Sequence, residues 1–117
     1  ERASYLAASS LDKYLNDNVN YVFSWHDYIH LANNEICSER HNNIRMGTTL
    51  AAIRFTENFI DICNIGDSKI FGLKNKKLTQ LSYDHTDQEL QKKLHITGKK
   101  TYRLTQHLGI KENEMTL

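Results

Sequence analysis

His26 and His30 stand four residues apart, so on a helix they share one face and could grip a single metal ion. The run His26-Asp27-Tyr28-Ile29-His30 differs from the zinc-protease pattern, in which a Glu follows the first His and its extra methylene lets the carboxylate reach the metal-bound water. No clear third ligand follows. The alternative is two polar histidines on the face opposite Trp25, Ile29 and Ile36. His41, His85, His95 and His107 are scattered, and each reads as a surface or locally bonded side chain. Arg103, within Tyr102-Arg103-Leu104-Thr105-Gln106-His107-Leu108-Gly109, could offer a cation to a phosphate or could simply face solvent. Gly66-Asp67-Ser68 also has two readings, because it ends the apolar run Phe59 to Ile65. As structure it is a good turn. As chemistry, a carboxylate at the end of a strand is a common way to hold a hard cation such as Mg²⁺ or Mn²⁺ through oxygen.

The elements that would position these residues follow from apolar spacing. Ala3, Ala7, Leu11 and Tyr14/Leu15 recur at about 3.6 residues, which predicts an amphipathic helix over 2–16, broken by Asn16-Asp17-Asn18. Trp25, Tyr28, Ile29, Ala32 and Ile36 predict a second helix over 25–39, with Ser24 and Asp27 as a capping box. The polar stretch Ser38 to Asn43 is expected as a loop. Beyond it, residues 48–55, 59–65, 69–73 and 78–81 are short segments rich in Ile, Phe, Leu and Thr, separated by turn residues. Connections this short make neighbouring strands antiparallel, so a β-meander is expected over about 48–82. Thr86-Asp87-Gln88-Glu89 is a further capping box that opens a helix to about Leu94. Thr101 to Leu108 is expected as a helical or extended piece closed by Gly109, so the C-terminal part over about 86–108 is read as helical. Helix, helix, meander, helix implies an α+β class with helices packed on an antiparallel sheet.

Composition narrows the functional classes. A chain of 117 residues suits one domain, and 39% hydrophobic with 25% charged residues excludes a disordered or fibrous character. The net charge of +1 comes from interspersed signs, so no broad cationic field invites nucleic acid or an anionic bilayer. No apolar run approaches the roughly 18 residues of a membrane span. Neither nucleic acid nor membrane is therefore an expected partner. Cys37 and Cys63 lie in no CxxC or knuckle spacing, which argues against a disulfide framework or zinc site and favours a reducing, cytoplasmic setting. Glu1 to Leu6 reads as a helix already under way, without an initiator Met or a cap. The chain is expected to be cut from something longer.

Four pieces form an ordered set: Met46-Gly47-Thr48-Thr49; Cys63-Asn64-Ile65-Gly66-Asp67-Ser68-Lys69-Ile70-Phe71; Leu78-Thr79-Gln80-Leu81-Ser82-Tyr83-Asp84-His85-Thr86; and Arg103-Leu104-Thr105-Gln106-His107-Leu108-Gly109. In order and spacing they resemble the middle of the metal-dependent type 2C protein phosphatases, whose pattern runs G-T-T, N-V-G-D-S-R-x-Y, L-T-x-D-H-S and L-T-R-A-L-G. Ala3-Ser4-Tyr5-Leu6-Ala7 is similar to the helix that follows that family's D-G-M-G-G-H segment. The resemblance covers nearly the whole chain.

The resemblance implies an α-β-β-α sandwich of two antiparallel sheets, hydrolysis of phosphoserine and phosphothreonine proteins, and a two-metal Mn²⁺ or Mg²⁺ centre whose bridging hydroxide attacks phosphorus. Water is the nucleophile there, so Cys37 and Cys63 have no catalytic part. Asp67 matches the G-D-S aspartate, which in the family lies near the metal centre and can serve an accessory ion. Gly66 and Ser68 match the turn that places it, Gly47, Thr48 and Thr49 the strand start beside the site, and Asp84 and His85 the D-H element leading to the flap at the substrate groove. The stretch 86–102 is shorter than the family's usual flap. The carboxylates that hold the two principal ions in that family have no counterpart here, so the 117 residues alone are expected to be an inactive piece of the enzyme, with no tightly bound ion. The alternatives are a non-catalytic pseudophosphatase binding module and an unrelated α+β metal-binding protein using His26 and His30. Open strand edges are expected to favour a homo-oligomer.

Overall fold

Helix α1 (Arg2–Asp17) and helix α2 (Trp25–Ser38) open an α+β chain. Strands β1 (Leu50–Phe55), β2 (Ile60–Ile65), β3 (Phe71–Lys74) and β4 (Lys77–Gln80) follow, then helix α3 (Asp87–Lys93) and a 3-10 turn at Glu112–Glu114. The computed structural model describes residues 1–19, 22–39, 45–95, 98 and 103–116. The chain divides into two compact units, one of Glu1–Thr48 with Leu108–Leu117 and one of Thr49–His107. Among the described residues no helix is long and apolar enough to cross a membrane.

In the first unit, α1 buries Ala3, Leu6, Ala7, Ser10 and Tyr14, the 3.6-residue stripe that its sequence predicts. α2 buries Tyr28, Ile29, Ala32, Asn33 and Ile36, and Ser24 caps it by accepting the Asp27 N–H at 3.2 Å. The small Ala7 lets the helices approach, and the Tyr28 hydroxyl donates to the Ala7 carbonyl at 2.8 Å. Tyr14, Phe23, Trp25 and Tyr28 make successive edge or tilted ring contacts at 4.7–6.3 Å. Fully burying a side chain such as Ile36 or Leu108 contributes about 1.5–3 kcal/mol. The C-terminal segment joins this core through Asn33, only 1% exposed. Its amide accepts the Gly109 N–H at 2.6 Å and donates to the Ile110 carbonyl at 3.0 Å. Gly109 is required there: its φ is +94°, and a Cβ would sit 2.4 Å from the Met46 carbonyl oxygen.

In the second unit, β1 and β2 pair antiparallel with Leu50 opposite Ile65 and Phe55 opposite Ile60. β3 and β4 pair with Phe71 opposite Gln80 and Lys74 opposite Lys77. Asn75 and Lys76, both at positive φ, form the two-residue turn between them, whose twist suits a hairpin.

Two expectations are corrected. The strands form two separate two-stranded sheets instead of one meander. After β2 the backbone turns at Gly66, φ +106°, and residues 66–70 give their hydrogen bonds to later segments. Gly66 O accepts from His85 N at 2.9 Å, Ile70 N donates to Ser82 Oγ at 2.9 Å, and Ile70 O accepts from Leu81 N at 2.8 Å. The C-terminal part is also not helical throughout 86–108. α3 ends at Lys93, and the described residues 103–108 are non-helical. Leu104 bridges to Thr86 within the second unit, and Leu108 bridges to Thr48 within the first, so their backbone groups serve pairing. Residues 40–44 of the expected loop, with His41, and residues 99–102, with Tyr102, lie outside the described residues.

Candidate functional site

The site grows from Gly66, the residue after the last of β2. A side chain is excluded at this position because a Cβ would lie 2.4 Å from Thr49 Cγ2 and 2.8 Å from Thr49 Cβ. Thr49 packs against the turn and its hydroxyl meets the Ser68 hydroxyl at 2.7 Å. The Gly66 N–H donates to His85 Nδ1 at 2.9 Å, while the His85 N–H returns a bond to the Gly66 carbonyl. The acceptor role at Nδ1 leaves the imidazole proton on Nε2 and requires a neutral ring. Burial lowers the His85 pKa below its ordinary 6.5, with the neighbouring Asp84 charge opposing that shift. The His85 carbonyl accepts from Thr105 N at 2.8 Å, and Asp87 and Arg103 exchange bonds through Asp87 N to Arg103 O and Arg103 N to Asp87 Oδ1.

Within this unit the structure therefore brings together Thr49, Gly66, Ser68, Asp84, His85 and the segment Arg103–Thr105, which the sequence scatters over some fifty residues. Gly47 and Thr48 lie in the other unit, where Gly47 Cα comes within 3.1 Å of a Cβ placed on Gly109, and Thr48 and Leu108 exchange backbone bonds at 3.0 and 2.8 Å.

The two aspartates differ in what they are free to do. Asp84 is engaged at both oxygens, by the Lys69 ammonium at Oδ2 and by Gln80 Nε2 at Oδ1, 2.9 Å away. Its charge orders the loop. Asp67 is exposed on the turn between Gly66 and Ser68, so its carboxylate is open to a cation or a solvated ligand. One carboxylate supplies a small part of the six or more oxygen ligands that a hard divalent cation takes. Among the described residues no group of three or more His, Cys, Asp or Glu side chains is arranged to hold a metal ion. No family model, no curated protein and no solved structure matches the chain.

Several residues of the node carry roles that motif reading alone did not assign. Asn64 donates to the Tyr83 carbonyl at 2.9 Å and to the Gly66 carbonyl at 3.3 Å, pinning the third motif to the second. An Asn two residues before a Gly is the signal for such a turn. Ser82, 7% exposed, holds Ile70 N, and nothing in its local sequence marks it. The thiol of Cys63, half-buried on β2, is pushed up to about 11 by burial, so it is protonated near neutrality and unsuited to nucleophilic attack. Arg103 is exposed and is placed by its backbone bonds to Asp87. His26 and His30 sit on the outside of α2 in the other unit, where a cleft of about 370 Å³ lined by Tyr14, Leu15, Asn16, Asn18, Val19 and Phe23 contains none of the motif residues.

Proposed function

We propose that this chain carries the central part of a metal-dependent serine/threonine protein phosphatase domain of the type 2C kind, an α-β-β-α sandwich. In such a domain Mn²⁺ or Mg²⁺ activates water against phosphoserine and phosphothreonine side chains of proteins. The observation that carries this reading is the bond from Gly66 N–H to His85 Nδ1. It ties the Gly-Asp-Ser turn to the Asp-His element, with Thr49 and Thr105 attached to the same two residues. Members of the four motifs that lie within Thr49–His107, namely Thr49, Gly66 with Ser68, Asp84 with His85, and Thr105, are thus also partners in space, as parts of one functional unit should be. The raised Cys63 thiol fits a reaction that needs no cysteine nucleophile, and the two free cysteines fit a reducing, cytoplasmic compartment.

In this reading Asp67 serves an accessory ion, the Gly66 turn and Thr49 hold it at the edge of β2, and Asp84 and His85 shape the approach to the substrate groove. The principal metal ligands are carboxylates outside these 117 residues. A phosphothreonine peptide assay with Mn²⁺ tests the reading. The 117-residue chain alone is expected to show no turnover above the uncatalysed rate, whereas a longer polypeptide that supplies the flanking carboxylates hydrolyses the peptide and slows on Asp67→Asn. Turnover by the 117 residues alone would overturn the assignment of the ligands. An inactive longer polypeptide that still holds a protein partner would replace the reading by the pseudophosphatase binding module.

A further inference from the structure

We propose that His26 and His30 on α2 form a two-nitrogen chelate for a borderline divalent cation of the zinc, nickel or copper kind. The inference is independent of the phosphatase reading, whose cations are hard and oxygen-bound.

The ring spacing lies close to the short end of what such a chelate requires. A metal–nitrogen distance of about 2.0–2.1 Å puts each imidazole centre roughly 3.2 Å from the ion, and an angle of 90–110° at the metal then separates the two centres by roughly 4.5–5.2 Å. The centres of His26 and His30 are 4.4 Å apart. Their planes are tilted by 54°, so the rings fan apart and do not stack flat. The terminal torsion of each imidazole is broad, which leaves the direction of each Nε2 adjustable without moving the backbone. The backbone supplies the pairing without rearrangement, because residues 26 and 30 are one helical turn apart inside Trp25–Ser38.

A second feature concerns the tautomer. Asp27 Oδ1 lies 3.5 Å from His26 Nδ1. A carboxylate near that nitrogen, although not hydrogen-bonded to it, favours the tautomer with the proton on Nδ1 and Nε2 as the lone-pair donor, the kind of outer support that metal-binding histidines usually have. It also offsets the partial positive charge at the N-terminal end of α2, which would otherwise oppose a cation. The His26 side chain is 67% exposed, so waters can complete the coordination and the ion has an open path.

Isothermal titration of the whole chain with Zn²⁺, Ni²⁺ and Cu²⁺ salts tests the proposal. The expected result is one ion per chain, tightest for Cu²⁺. His30→Ala and His26→Ala should each weaken binding about tenfold or more, and Asp27→Asn by up to about tenfold. His95→Ala, which alters an exposed histidine at the end of α3, should leave binding unchanged. Helical circular dichroism of the variants establishes that α2 is intact. Histidine ring proton resonances give a second readout, since Zn²⁺ should shift two rings together, both lost in the double variant. No bound ion, undiminished binding by His30→Ala, or loss of binding in His95→Ala would each overturn the chelate.

Discussion

The unit of Glu1–Thr48 and Leu108–Leu117 closes a core of apolar side chains, whereas the unit of Thr49–His107 leaves most of its own outside. In the first, Tyr28, Ala32, Ile36 and Leu108 are at most 1% exposed. In the second, Ile53, Phe55, Ile60 and Ile62 share one face of the β1–β2 sheet, and Phe55 is 75% exposed and Ile60 60%. The opposite face of that sheet carries the Arg54–Asp61 ion pair and Cys63. Apart from Ile65 and Ile70, the side chains buried among the described residues of the second unit are Ser82, Thr86 and Gln106. The first unit is thus held mainly by burial, which is non-directional, and the second mainly by a directional hydrogen-bond node. A node aligned by bonds can place a carboxylate such as Asp67 accurately, at the cost of leaving apolar sheet faces that invite a partner surface.

The sharpest way to break this contrast is through a buried polar device inside the apolar unit. Asn33→Ala removes two buried bonds and strands the Gly109 N–H, while the Ile110 carbonyl keeps the weak thiol contact from Cys37 at 3.5 Å. Urea unfolding should show a loss of about 2–4 kcal/mol, the cost of one unsatisfied buried group and one left with a weaker bond. In the second unit, Gly66→Ala forces a Cβ into Thr49 at positive φ, and amide exchange at Ile70 and His85 should report about 2–3 kcal/mol of local destabilisation. Equal exchange in both proteins would mean that the node does not hold the unit.

A milder perturbation uses acid. Folding lowers the His85 pKa from 6.5, chiefly by burial, so its contribution is fully present above 6.5 and is lost as pH falls through the lower folded value. The second unit should therefore open on acidification below 6.5 while the first holds. His85→Gln should flatten that slope, with a loss of about 1 kcal/mol at neutral pH from the weaker bond to Gly66 N–H. The smallest effect on stability is expected from Phe55→Lys, within about 0.5 kcal/mol because the ring is exposed. Its readout is association: if the apolar face and open edges of β1–β2 draw copies together, light scattering should show a smaller species for the variant.

Much of the local structure was legible in the sequence. The helices expected over 2–16 and 25–39 are found at Arg2–Asp17 and Trp25–Ser38, because a 3.6-residue apolar period is written within a few turns. Ser24 and Thr86 cap α2 and α3 through hydrogen bonds to Asp27 N and Glu89 N, three residues on, again a local signal. The single meander was not legible as wrong. Segments of Ile, Phe and Leu announce strands, but the bonds that tie Gly66 to His85 and Ile70 to Leu81 and Ser82 join residues distant in the chain. Residues 103–108 could be helical or extended by pattern, and their bridges to Thr48 and Thr86 decided. Asn33 gave no signal, since a lone Asn in an apolar stripe reads as a weak helix former and its partners are more than seventy residues away.

By itself, then, the amino-acid sequence determined the three helices, the caps of α2 and α3, the strand-forming segments, the turn at Gly66-Asp67-Ser68 and the spacing of His26 and His30, all of which depend on neighbours within one or two turns. Only the tertiary structure decided that Asp84 is consumed by Lys69 and Gln80, that Asp67 stays open, and that His85 is the acceptor that locks the turn. The physical reason is range. Propensity and capping act over a few residues, but a hydrogen bond is directional and short, so the chain must first be folded before a distant donor and acceptor can choose each other.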